Sequence, residues 1–148
     1  FRSVVAGPDD GAREPLEQQV RQLGIAPRTH IVGPIYGPGK LAALRDAACF
    51  CLPSRQEGFS IAITEALACG LPCVVSRACH FPELDEVAAG RITSLEPRQI
   101  GDALADTLAD ARSAAAMGAA GAKLVRERFT WPRIAEQTMN AYSCAAAG

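Results

Sequence analysis

The chain has no excess of basic charge, no apolar run long enough to cross a bilayer, and no cysteine pair at zinc-binding spacing. Each absence removes a class of function. Fifteen Lys and Arg stand against 16 Asp and Glu, a net charge of −1. Tracking a nucleic acid or an anionic membrane needs a basic field, so no nucleic-acid partner is expected. Without a stretch of about 20 apolar residues, no membrane span is expected either. The chain opens on a strand-like run rather than a charged n-region, so no secretory signal is expected there.

The six cysteines are Cys49, Cys51, Cys69, Cys73, Cys79 and Cys144. Five lie in or beside apolar runs, where free cysteine behaves as a small hydrophobe. The chain is neither short nor loop-rich, so a disulfide framework is not expected and a reducing, cytoplasmic compartment is. Cys69, Cys73, Cys79 and His80 contain no CxxC pair, and Cys73 falls in a strand, so no metal site is expected. Two nucleotide-binding loops are missing as well. Gly33-Pro34-Ile35-Tyr36-Gly37-Pro38-Gly39-Lys40 imitates a P-loop, but five residues separate Gly33 from Gly39 where four are needed. Leu41 also follows the lysine where Ser or Thr is required. No G-x-G-x-x-G occurs, which argues against a nicotinamide-dependent oxidoreductase.

What is present suits one domain of ordinary size: 148 residues, 49% of them hydrophobic, enough to fill a core. Residues 3–6 read as a strand ending at the turn Gly7-Pro8-Asp9-Asp10. Residues 14–23 read as a helix, with Leu16, Val20 and Leu23 at i, i+4, i+7 and Gly24 closing it. Residues 29–32 form a second strand, with His30 at its edge, and a Gly/Pro-rich loop leads to a helix over 40–47. Residues 48–52 are apolar throughout, as a strand buried on both faces should be. A helix over 61–69 ends at Gly70, a natural C′ residue. Strands follow at 73–76 and, more weakly, at 91–94, with one helical turn at 82–84 between them.

From Pro97 on the chain is expected to be helical, in segments marked by Ile100 to Leu108, Met117 to Val125 and Ile134 to Tyr142. Thr130 is the expected N-cap of the last, Trp131 its packing anchor, and the tail, residues 145–148, is expected to fray. Alternating strands and helices predict an α/β fold, a Rossmann-like parallel sheet flanked by helices, with a helical C-terminus. Ligands of such sheets bind outside the carboxyl ends of the strands.

One segment there carries chemistry, residues 53–72, reading PSRQEGFSIAITEALACGLP. It follows a strand and precedes a helix. Ser60 can cap that helix, whose free amides and dipole suit a phosphate. Glu65 is the only charged residue between Gly58 and Ser76. A carboxylate in an apolar helix needs a hydrogen-bonding partner. An internal salt bridge or an exposed helix edge explains it as readily as a ligand does. Glu57, just before a glycine that permits close backbone approach, reads by itself as a solvated loop carboxylate.

Glu57 and Glu65, with seven residues between them, resemble the E-x7-E motif of retaining GT-B glycosyltransferases. The surrounding Pro-Ser-x-x-Glu-Gly-Phe and Glu-Ala-Leu-Ala-Cys-Gly-Leu-Pro are similar to group 1 (family 4) members. So are Val5-Ala6-Gly7-Pro8, Ile31-Val32-Gly33 and Phe129-Thr130-Trp131, and the likeness runs in order along nearly the whole chain.

The resemblance implies the C-terminal half of a GT-B fold binding a UDP-, GDP- or ADP-sugar, with no cofactor and no obligatory metal. Glu57 would contact the donor sugar and serve catalysis, and Glu65 would hold the ribose hydroxyls. Amides of Gly58, Phe59 and Ser60 would meet the sugar, those of Ile61 and Ala62 the diphosphate, and Gly33 and Ile35 would lie against the base. The family often has glycine where Ser60 stands.

The resemblance also implies that residues 1–148 lack the domain's first strand, its basic diphosphate clamp and the N-terminal acceptor domain. The full enzyme would have about 350–400 residues in two domains. The chain alone is then expected to be inactive, and any membrane association to be peripheral and confined to the full enzyme. A non-catalytic nucleotide-sugar-binding module, or a GT-B epimerase or hydrolase of a sugar nucleotide, remains open as an alternative.

Overall fold

Short runs of β-branched, aromatic and thiol side chains alternate with helical stretches. In a computed structural model they form parallel strands joined by helices; the structure describes residues 1–146. The chain divides into two compact units, Phe1–Ala42 and a second that begins at Ala43.

In the first unit β1 (Ser3–Val5) pairs in parallel with β2 (Thr29–Ile31), Ser3 opposite Thr29 and Val5 opposite Ile31. The crossover is α1 (Arg13–Gln22). The turn before it also starts the helix, because Asp9 Oδ1 accepts from the amides of Gly11 at 2.9 Å and Arg13 at 3.2 Å. Val20 is buried, whereas Leu23 is exposed. Leu23 is the C-cap, already past the helical stripe, and Gly24 turns the chain with a φ of +67°.

The helix expected over 40–47 is α2 (Gly37–Asp46). Gly37-Pro38-Gly39 forms its first turn rather than the end of a loop, because a first-turn proline loses no helical hydrogen bond.

The second unit holds β3 (Phe50–Leu52), α3 (Ile61–Ala68), β4 (Cys73–Ser76), α4 (Glu83–Glu86) and β5 (Gly90–Thr93). Three longer helices follow, α5 (Pro97–Ala109), α6 (Ala111–Arg128) and α7 (Trp131–Ala146). The sheet order is β3-β4-β5, all parallel, with Phe50 opposite Cys73 and Cys73 opposite Gly90. The strand buried on both faces is β4, not β3. All four β4 residues are buried, while β3 is half-buried at the edge of this sheet. The strand read as weak, β5, is a full four-residue partner of β4.

The core gathers where α3 meets the sheet and α6. Ile63, Ala66 and Leu67, at i, i+3 and i+4, are fully buried with Val75, Leu84 and Leu124. Burying each of the larger side chains is worth about 1.5–3 kcal/mol. Asp110 caps α6 by accepting from the Arg112 amide at 2.9 Å. No residue of α7 is buried, and Trp131 is 83% exposed. Its expected anchoring role fails because the helix lays no face against the described core. Residues 145 and 146 continue α7 rather than fray; 147 and 148 lie outside the described residues. No helix among the described residues is long and apolar enough to cross a membrane.

Candidate functional site

Residues 53–60 carry the chain from the carboxyl end of β3 to the start of α3. The next carboxyl end along the sheet, that of β4, continues into a 3-10 turn at Arg77–Cys79. The two segments are tied together at three points. The Ser76 hydroxyl donates to the Ser54 carbonyl. The Glu57 amide donates to the Ala78 carbonyl at 3.2 Å. The Cys79 thiol donates weakly to the Leu52 carbonyl at 3.4 Å. Within the loop, the Ser54 hydroxyl donates to Glu57 Oε1 at 2.8 Å, and both residues are half-buried. Glu57 is therefore not the solvated loop carboxylate that it suggests in isolation.

Gly58 and Phe59 follow, both exposed. The Phe59 ring leans on the unit, its centroid 6.2 Å from Phe81 and 5.7 Å from Phe129 in tilted contacts. Ser60 takes the extended backbone of an N-cap, yet its hydroxyl makes no cap hydrogen bond. It is only 5% exposed, and packing the small side chain inward forfeits the cap expected of it. The first turn of α3 also contains no acidic residue. Its amides and the positive end of its dipole thus carry no side-chain counterpart from the cap position or the first turn.

Ile61 and Ala62 are exposed in that turn. Glu65 shares their face at i+4 and i+3, opposite buried Ile63, Ala66 and Leu67. The Cα–Cβ bonds of a helix tilt toward its N-terminus, and that of Glu65 does so with the rest of α3. Glu65 is half-buried and is not an isolated charge.

The structure thus brings Glu57, Gly58, Phe59, Ser60, Ile61, Ala62 and Glu65 together on one loop and helix start. Gly33 and Ile35 stand in the first unit, after β2. Gly33 has a φ of +72° and accepts from the Gly7 amide at 3.1 Å, and Ile35 is half-buried. His30 is exposed in β2. His80 is exposed after the 3-10 turn in a left-handed conformation, φ 49°. An open cavity of about 400 Å³ lies beside the loop, between Phe59, Glu83, Arg128, Phe129, Ile134 and Gln137. Phe59 is the one candidate residue that reaches it.

The cysteines are free, Cys73 and Cys79 buried and Cys144 exposed. Burial pushes the Cys49 thiol up to about 11, reinforced by Cys51, and raises Cys51 and Cys73 as well. These thiols stay protonated and unreactive at neutral pH.

Sequence reasoning missed Ser54 and Ser76. Ser54 stands three residues before Glu57 and was open to reading as a local hydroxyl partner. Ser76 lies 22 positions from Ser54 and has no local signal.

A parallel α/β unit whose carboxyl-end loop runs into an uncapped helix defines a Rossmann-like half, of the kind GT-B glycosyltransferases contain. The chain belongs to the glycosyl transferases group 1 family, whose description matches residues 1–111. It is 32% identical over 136 residues to the MMP alpha-(1→4)-mannosyltransferase of Mycolicibacterium hassiacum, covering 90% of this chain and 33% of that protein. The sucrose-phosphate synthase of Thermosynechococcus elongatus superposes with a TM-score of 0.79 at 27% identity, over 97% of this chain and 38% of that one. Anabaena HepE, solved in complex with UDP, shares the fold at a TM-score of 0.86 and 20% identity, over 97% of this chain and 41% of that one. The chain spans about a third of the length of the curated relatives it matches.

Proposed function

We propose that this chain is the donor-binding part of a retaining glycosyltransferase that uses a nucleoside-diphosphate sugar. The carrying observation is the braced loop ahead of α3. It carries Glu57, held by Ser54, three residues ahead of a helix start without a side-chain cap, with Glu65 on the exposed-side face of that helix that Ile61 and Ala62 share. A carboxylate accepts paired hydrogen bonds from a vicinal diol, which suits Glu57 to the sugar and Glu65 to the ribose. Amides of Gly58, Phe59 and Ser60 serve sugar hydroxyls. Those of Ile61 and Ala62 receive the diphosphate, whose charge grows as it leaves.

No step of this reading calls for a metal. Family membership supports sugar transfer as the chemistry. Retention, and the role of Glu57 in steadying the oxocarbenium-like centre, belong to the proposal. So do the acceptor site and the basic diphosphate clamp, which it assigns to the remainder of a full-length enzyme, leaving this chain alone without turnover. A reducing, cytoplasmic setting fits the free buried thiols.

The test is a thermal shift of the chain with UDP, GDP and ADP. A nucleotide at ten times its Kd adds about 1.4 kcal/mol of stability, or about 4 °C at this chain length. One nucleotide is expected to raise Tm and so to name the base. Binding by the chain alone is expected to be weak, because the basic clamp lies elsewhere; no shift of the full-length enzyme with any of the three up to millimolar concentration would remove the reading.

A further inference from the structure

A glutamate in a loop is a poor instrument unless something holds it. Its three side-chain torsions are free in solvent, and fixing them costs about 1.5–2 kcal/mol in rotamer entropy alone. Glu57 carries its own clamp. The Ser54 hydroxyl donates to Oε1 at 2.8 Å, three residues upstream in the same loop. An ionised carboxylate only accepts, so the proton in this bond belongs to Ser54. One oxygen is thereby engaged, and Oε2 is left for a ligand hydroxyl.

The clamp is itself anchored. Ser54 is fixed through its carbonyl by the hydroxyl of Ser76, which is 1% exposed at the end of the central strand β4. The same Ser76 hydroxyl lies 3.5 Å from the Cys79 thiol. Glu57 is fixed a second time through its amide, on Ala78. The carboxylate is therefore referenced to the most buried strand of the unit rather than to the loop that carries it.

We propose that Ser54 is a positioning residue for Glu57, with Ser76 as its buried anchor. The inference rests on the reading of Glu57 as the donor-sugar carboxylate. Ser54 sets the rotamer in which Glu57 meets the sugar, and the effect falls on turnover rather than on donor affinity, which the nucleotide contacts dominate.

The test uses the full-length enzyme and its sugar nucleotide. Ser54→Ala is expected to lower kcat about tenfold, the equivalent of 1.4 kcal/mol, with donor KM within about twofold. Ser54→Thr, which keeps the hydroxyl, is expected to recover most of the loss. A double-mutant cycle isolates the route: in a Glu57→Ala background, Ser54→Ala is expected to cost nothing further. An equal loss with and without Glu57 overturns the proposal, and so does wild-type kcat for Ser54→Ala. Should Glu57→Ala itself keep wild-type turnover, the functional reading of the glutamate falls first, and the cycle shows which of the two has failed. Should Ser54→Ala fold poorly, Ser76→Ala read in the same cycle is expected to give the same non-additivity with Glu57→Ala, and an additive loss overturns the proposal.

Discussion

Gly118→Ala inserts a single methyl where α6 crosses the end of α3. A Cβ built at Gly118 falls 1.9 Å from the Gly70 carbonyl oxygen and 2.7 Å from its carbon. Ordinary contact begins at 3.4 Å, so one helix must retreat by about 1.5 Å along that line. Both contacts are backbone, and no flexible side chain can absorb the shift. Retreat would also open the seam one turn on, where Gly121 sits against Leu67.

Overpacking of this kind costs about 3 kcal/mol, offset by about 1 kcal/mol of improved helix propensity. A net loss of about 2 kcal/mol is expected. With a urea slope near 2 kcal/mol per molar, the midpoint should fall by about 1 M. Far-UV circular dichroism is the readout, because the single tryptophan, Trp131, is solvent-exposed and reports poorly on folding. The control is Gly101→Ala in α5, where nothing lies within 4 Å of the new methyl. It should gain about 0.5–1 kcal/mol from the same change in propensity. A Gly118→Ala midpoint at or above that of the parent would refute the packing argument.

Two further predictions concern the site and the thiols. In a full-length enzyme, Glu65→Gln should raise donor KM about tenfold with kcat little changed, while Glu57→Gln should cut kcat about a hundredfold; wild-type kinetics in both would end the motif reading. Stability should also depend on alkaline pH. Burial holds Cys49 at about 11 in the folded state against an ordinary 9.0, and raises Cys73 in the same direction. Above pH 9 the unfolded chain ionises these thiols while the folded chain keeps them protonated, so the unfolded state binds fewer protons and stability falls. Urea midpoints under reducing conditions should be flat below pH 9 and decline toward pH 11. Cys49→Ala should flatten part of that decline, and an unchanged slope in this variant would contradict the burial argument.

Much of the fold was legible because its signals are local. Gly24 and Gly70 end helices where a left-handed residue is needed, and both have positive φ. Val74 and Val75 announce a strand by composition. Errors arose where burial, which composition does not encode, decided the outcome. β3 and β4 read alike as apolar runs, yet only β4 lies between two neighbours. Trp131 reads as an anchor because tryptophan usually buries, but α7 lays no face on the described core. Pro38 reads as a loop residue because proline breaks helices, and the exception for a first turn applied instead.

The candidate site divides along the same line. Residues 57–65 lie on one stretch of chain, so the loop, the helix start and the lone charge of Glu65 were legible locally, while Glu57 was singled out by the resemblance to the family motif. Ser60 fits the sequence rule for an N-cap, but the rule fixes only the backbone; the hydroxyl's use depends on where the side chain packs. The bonds that make Glu57 more than a solvated carboxylate come from Ser54 and from Ala78, and behind Ser54 from Ser76. Two of those three residues lie at or just past the end of β4, and only the parallel register of β3 on β4 brings them to the loop. That register places Leu52 opposite Val75, so the chain leaving β3 and the chain leaving β4 emerge side by side at one edge. A shift of one residue would turn alternate side chains to the other face and take the Ser76 hydroxyl away from Ser54. The geometry of the proposed sugar carboxylate is thus set by strand pairing.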